Sequence, residues 1–116
     1  MEGITIIIND APYGSEKPWN ALRLAKALAV KKQGVNIFLM GDGAAIAKKG
    51  QEPPQGFYNL GKMLADLIGL GAGVRVCGTC LESRGIKPEE LIEGAAAGKM
   101  LDLEHWVETS AKVISF

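Results

Sequence analysis

Two segments of this chain, Ile4-Thr5-Ile6-Ile7-Ile8 and Val35 to Met40, are apolar almost throughout rather than at every second position. A strand with one face in water alternates apolar and polar side chains. A near-continuous β-branched run therefore marks a strand covered on both faces. Between and after these runs, apolar residues recur at helical spacing: Ala21, Leu22, Ala25, Leu28 and Ala29, then Leu60, Met63, Leu64, Leu67 and Ile68. Covered strands alternating with helices predict an α/β fold with a mostly parallel sheet.

Turn residues set the expected boundaries. The first strand breaks at Asn9-Asp10-Ala11-Pro12-Tyr13-Gly14, with Ser15 as the expected N-cap of a helix that Gly34 stops. The second strand, Val35 to Met40, leads into Gly41-Asp42-Gly43, a short helix over Ala44–Lys49, and a surface loop holding Pro53-Pro54. Val74 to Cys77 reads as the third strand, Ala95 to Met100 as a short fourth, and Val113 to Phe116 as the fifth. Pro88 with Glu89 and Glu90 opens a short helix. Asp102 is the expected cap of another, with Leu103, Trp106 and Val107 on one face.

Composition narrows the function. With 116 residues and 47% hydrophobic content, the chain is expected to form one soluble domain over residues 1–116. Its formal net charge of zero gives no reason to expect nucleic acid or an anionic membrane as partner. It also removes one barrier to self-association. No apolar stretch approaches the ~20 residues of a membrane helix, and no secretory leader is recognisable. A cytoplasmic location is expected, where a cysteine pair is metal-binding or catalytic more often than a staple.

The chemistry then falls to sulfur. In open parallel sheets ligands bind outside the carboxyl ends of the strands. That rule selects Asn9–Ser15, Gly41–Gly43, Cys77–Gly85 and Met100–Asp102. The third of these holds Cys77-Gly78-Thr79-Cys80, with Arg84 close behind. A cysteine at the start of a helix meets main-chain N–H groups and the positive end of the helix dipole, which favour thiolate over thiol. The bland alternative is a pair of small buried hydrophobes. A zinc site needs about four ligands, and Cys77, Cys80 and His105 do not supply them, so no metal is expected. His105 reads as a solvated helix residue. Gly69-Leu70-Gly71-Ala72-Gly73 precedes a strand instead of following one, so it is a turn and not a dinucleotide fingerprint; no cofactor is expected.

Several contiguous motifs carry a resemblance. They are Asn9 to Glu16, Asn20 to Ala25, Phe38-Leu39-Met40-Gly41-Asp42, the Cys77–Cys80 pair, Arg84-Gly85-Ile86 and Lys112 to Phe116. In these the chain resembles the DsrE/DsrF-like proteins over nearly its whole length. The resemblance implies a three-layer α/β/α fold with a five-stranded parallel sheet, assembled into trimer-based homohexamers. In the relatives that act as sulfur-relay subunits, a cysteine ending the third strand carries sulfane sulfur as a persulfide; Cys77 stands at that position. Cys80 stands where those subunits have a small apolar residue, a departure from the relay pattern. The expected pocket combines Cys77, Gly78, Thr79, Cys80 and Arg84 with Asn9, Asp10 and Tyr13 from the first strand-end loop and Gly41 and Asp42 from the second, Tyr58 joining them.

Three functions compete at this point. One is a sulfurtransferase or sulfur carrier working through a Cys77 persulfide, with a donor or acceptor protein as partner. Another is a thiol–disulfide protein cycling Cys77 and Cys80. Thioredoxin itself is excluded, because the pair follows the third strand and no proline comes after Pro88. The third is an oligomeric binding protein with structural cysteines.

Overall fold

The computed structural model describes residues 3–116. Its five strands are β1 (Ile4–Ile8), β2 (Val35–Leu39), β3 (Gly73–Cys77), β4 (Ala95–Gly98) and β5 (Lys112–Ser115). They form one sheet in the order β4-β3-β2-β1-β5, and all four pairings are parallel. The sheet expected to be mostly parallel is wholly so. The connections carry helices α1 (Lys17–Val30), α2 (Leu60–Gly69), α3 (Gly78–Ser83) and α4 (Met100–Thr109), with 3-10 turns at Gly41–Ala47 and Pro88–Glu90.

The main core lies on one face of the sheet. Ile4, Ile6 and Ile8 of β1, Val35, Ile37 and Leu39 of β2, and Val74 and Val76 of β3 all point there. They meet Ala21, Leu22 and Ala25 of α1 and Leu60, Leu64 and Leu67 of α2, the residues that set the helical spacing in the sequence. Each of these large side chains contributes about 1.5–3 kcal/mol when taken fully out of water.

The opposite face is thinner than the continuous apolar runs led us to expect. Helix α4 lies across it: the Trp106 ring meets Phe38 edge-on at 6.2 Å, and the Thr5 and Ser110 hydroxyls share a 2.6 Å hydrogen bond. Thr5 and Phe38 are buried as a result. The flanks are open, with Val113 and Ser115 of β5 and Ala96 of β4 exposed. The physical reason is length: β4 and β5 are four residues each at the sheet margins, beyond the reach of a single ten-residue helix.

Local boundaries differ from expectation in several places; β4, for one, ends at Gly98, and Met100, expected within it, starts α4. Helix α1 begins at Lys17, and Ser15 serves it from outside, its hydroxyl accepting the Lys17 N–H at 3.2 Å. Helix α4 begins at Met100, two residues before Asp102, whose carboxylate reaches back to the Lys99 N–H at 2.7 Å. It caps from the first turn, the reciprocal half of a capping box. The segment after β2 is a 3-10 turn from Gly41 to Ala47, where a helix over Ala44–Lys49 was expected.

Close backbone approach dictates that turn. Because β2 neighbours β1, the chain leaving β2 crosses the end of β1, and the Gly43 N–H donates to the carbonyls of Met40 (2.8 Å) and Asn9 (3.2 Å). A β-carbon on Gly43 would lie 2.3 Å from the Ile8 carbonyl oxygen. Gly41 supplies a positive φ of 54° just before it. Replacing Gly43 with Ala should therefore destabilise the fold by roughly 3 kcal/mol, read as a lower midpoint in urea unfolding with an unchanged slope.

Candidate functional site

Cys77 is the last residue of β3 and the N-cap of α3. Strand geometry ends there, and its sulfur takes the capping role that an oxygen usually fills, accepting the Cys80 N–H at 3.3 Å. The Thr79 hydroxyl lies 3.3 Å away on the same sulfur. Parallel pairing sets Gly98 of β4 directly beside Cys77. The chain leaving β4 therefore forms the other wall of a pocket of about 260 Å³, lined by Cys77, Gly78, Thr79, Gly98, Lys99 and Met100. Both cysteines are free and half-buried.

Cys80 is held from the other side. Its sulfur accepts the Gly41 N–H at 3.1 Å, so the glycine turn after β2 sits against the helix that starts at Cys77. Arg84 fastens the same two segments. Its guanidinium donates to the Asp42 carboxylate at 2.7 and 3.2 Å, to the Cys80 carbonyl at 3.0 Å and to Ser83 Oγ at 3.0 Å. The ion pair is solvent-exposed and contributes at most about 1 kcal/mol; its effect is positional. The Arg84 charge bears on Cys80, whose thiol it helps to make more acidic.

The two sulfurs are driven apart in acidity. Burial pushes the Cys77 thiol up. The Cys80 thiol, the Thr79 hydroxyl and the main-chain N–H groups of Cys80 and Thr79 outweigh burial, and hold it below the ordinary cysteine value. Burial likewise raises Cys80, and the neighbouring Cys77 adds to the rise; the Gly41 N–H and the Arg84 charge only partly offset it. Cys77 is thus the more acidic of the two thiols and Cys80 the less acidic.

The remaining predicted residues share the same sheet edge but are engaged elsewhere. The Asn9 side chain donates to the Phe116 carbonyl at 3.1 Å, tying β1 to the end of β5. Asp10 accepts from the Ser15 hydroxyl at 2.7 Å, ordering the entry to α1. Tyr13, at a φ of 65°, accepts the Leu60 N–H at 3.0 Å, and its ring stacks on Tyr58 at 5.7 Å. Tyr58 in turn stacks on Trp19 at 4.7 Å, and the Arg23 guanidinium lies 4.4 Å from that indole ring. This column pins the loop before α2 onto α1. Gly41, Thr79 and Arg84 are the predicted residues that bond to the cysteines, with Gly78 between them in the chain and Asp42 holding Arg84.

Gly98 and Lys99 were missed, the expected segment beginning only at Met100. Their signal was the parallel pairing itself, which sets the end of β4 opposite Cys77. His105 is exposed on α4. Among the described residues no group of three or more His, Cys, Asp or Glu is placed to hold a metal ion.

A model of the DsrE/DsrF-like family matches residues 2–116. The chain belongs to the DsrE/DsrF-like family. This family is related to sulfur-relay proteins. Within it, the chain is 45% identical over 112 residues to an uncharacterised protein of Methanocaldococcus jannaschii, covering 97% of each. It is 39% identical over 118 residues to protein YchN of Escherichia coli, covering all of both chains. The crystal structure of the E. coli YchN protein superposes with a TM-score of 0.94, again over the whole of both chains. The three-layer α/β arrangement is that of this DsrE/DsrF-like relative.

The acidity order has a measurable consequence. A depressed pKa leaves more thiolate at a given pH, so alkylation of Cys77 by iodoacetamide should reach half its maximal rate at a lower pH than a free cysteine, with Cys80 labelled only at higher pH. Thr79→Val removes one donor and should move the Cys77 midpoint upward. Peptide mapping after timed alkylation reads both; first labelling at Cys80 would invert the order.

Proposed function

We propose that this protein is a sulfane-sulfur carrier that holds sulfur as a persulfide on Cys77. The observation carrying the proposal is the placement of the Cys77 sulfur: N-cap of α3, thiolate-favouring donors around it, and one side open to a pocket beside Lys99. In the loading step the Cys77 thiolate attacks the outer sulfur of a donor persulfide, R–S–SH. The new bond is Cys77 Sγ–S, the donor S–S bond breaks, and the donor leaves as the thiolate R–S⁻. No net oxidation occurs, and the donor thiolate takes up a proton from solvent. Delivery to an acceptor thiol is the same exchange in reverse, the acceptor being a partner protein in a reducing, cytoplasmic setting.

A thiol–disulfide role is the second reading, favoured by the position of Cys80 one helical turn after Cys77. Intact mass separates the two under anaerobic exposure to cysteine persulfide. The carrier reading expects Cys77→Ser to gain no sulfur and Cys80→Ser to retain one added sulfur atom per chain. A Cys80→Ser protein that stays at its starting mass would overturn the carrier.

We also propose a homo-oligomer, trimer-based and hexameric. Supporting it are the exposed apolar side chains Met100, Leu101 and Val107 of α4 and Val113 of β5, on the thinly covered face. Trp19 and Tyr58 are stacked within the chain and contribute less free surface. Light scattering at micromolar concentration should give a mass well above one chain, and Leu101→Asp combined with Val113→Asp should lower it; a wild-type monomer would overturn the assembly.

A further inference from the structure

Sulfur relay by single-cysteine exchange has no use for a second thiol, yet Cys80 stands at the third position of the helix that Cys77 caps. As N-cap, Cys77 already holds its sulfur 3.3 Å from the Cys80 main-chain nitrogen, and the Cys80 thiol is among the groups that donate to it, so the two sulfurs are neighbours. The charge on Cys77 already bears on Cys80. The Cys80 sulfur is also supplied with what an attacking thiolate needs, the Gly41 N–H at 3.1 Å and the Arg84 guanidinium held nearby by Asp42 and the Cys80 carbonyl.

We infer that Cys80 is a second catalytic residue, which resolves the Cys77 persulfide and releases its outer sulfur as sulfide. This inference rests on the carrier reading. In the step, the Cys80 sulfur attacks the Cys77 sulfur, a bond forms between the two cysteines, and the bond from Cys77 to the outer sulfur breaks. The departing sulfur leaves with the Cys80 proton: Cys77–S–S⁻ plus Cys80–SH gives the Cys77–Cys80 disulfide plus HS⁻. The outer sulfur is reduced to sulfide while the two cysteines are oxidised by the same two electrons. A dithiol reductant then restores both thiols before another turn.

Loading itself prepares the attack. In the resting pair, the Cys77 charge helps keep Cys80 protonated. Once Cys77 carries sulfur, that charge moves one atom outward, and the Gly41 N–H and Arg84 act on Cys80 with less opposition.

The test uses the full chain, fully reduced, without oxygen and without added reductant. Cysteine persulfide is supplied at one equivalent, and sulfide and intact mass are followed together, with Cys77→Ser giving the background from the donor. Wild type should release close to one sulfide per chain above that background and finish two hydrogens lighter, with no sulfur retained. Cys80→Ser should load more slowly, hold one added sulfur, and release no sulfide above background; Cys80→Ala should do the same. Wild type that keeps the added sulfur on Cys77 with no sulfide released would overturn Cys80 as resolving residue and leave the carrier intact. Wild type that forms the disulfide without matching sulfide would overturn it as well. Failure of all forms to take up sulfur would sink the carrier reading and this inference with it.

Discussion

The approach of Gly43 to the Ile8 carbonyl governs the reactive end of this molecule. The 3-10 turn after β2 can lie over the end of β1 because no side chain intervenes at that position. Only with the turn so placed does the Gly41 N–H reach the Cys80 sulfur, and only then does Asp42 stand where Arg84 can grip it. The two cysteines belong to β3 and α3, but the environment of the second is set by a loop from the neighbouring strand. Parallel pairing makes this economical: every strand delivers its carboxyl end to one edge, so the three segments around the cysteines emerge side by side.

Much of this was legible in the residues because burial leaves a plain signature. The isoleucines of β1 and the 3.6-residue spacing of Leu60, Leu64 and Leu67 each reported a covered face, and those residues are the core. The sheet edge that carries Cys77 followed from the same pattern. Coverage of the second face was less legible, since a run such as Ile4–Ile8 reads alike whether one helix or two lie over it. The partners of polar side chains were less legible still. Asp10, Tyr13 and Asn9 share the reactive edge, yet each is spent on a local contact with Ser15, Leu60 or Phe116. Those contacts span five to 107 positions of sequence, and nothing local in the chain encodes the longer ones.

The acidity order of the cysteines shows how little chemistry is needed to separate two identical side chains. Both lose water on burial, which raises both. The difference is one of direction: N–H and O–H groups of the first helical turn converge on Cys77, whereas Cys80, deeper in the same helix, has a single amide from Gly41. Position within the turn, together with the contact between the two sulfurs, makes Cys77 the more acidic of the pair.

Helix α4 joins two parts of the molecule that otherwise have little to do with each other. Its first residues wall the Cys77 pocket, while Trp106, about two turns on, rests against Phe38 and the backbone of Gly73. Its ten residues form one continuous hydrogen-bonded rod of about 15 Å, so its far half is rigidly joined to the residues at the pocket wall. The exposed side of that rod and the wall of the Cys77 pocket are thus two faces of one rigid element, although the first lies well away from the sulfur.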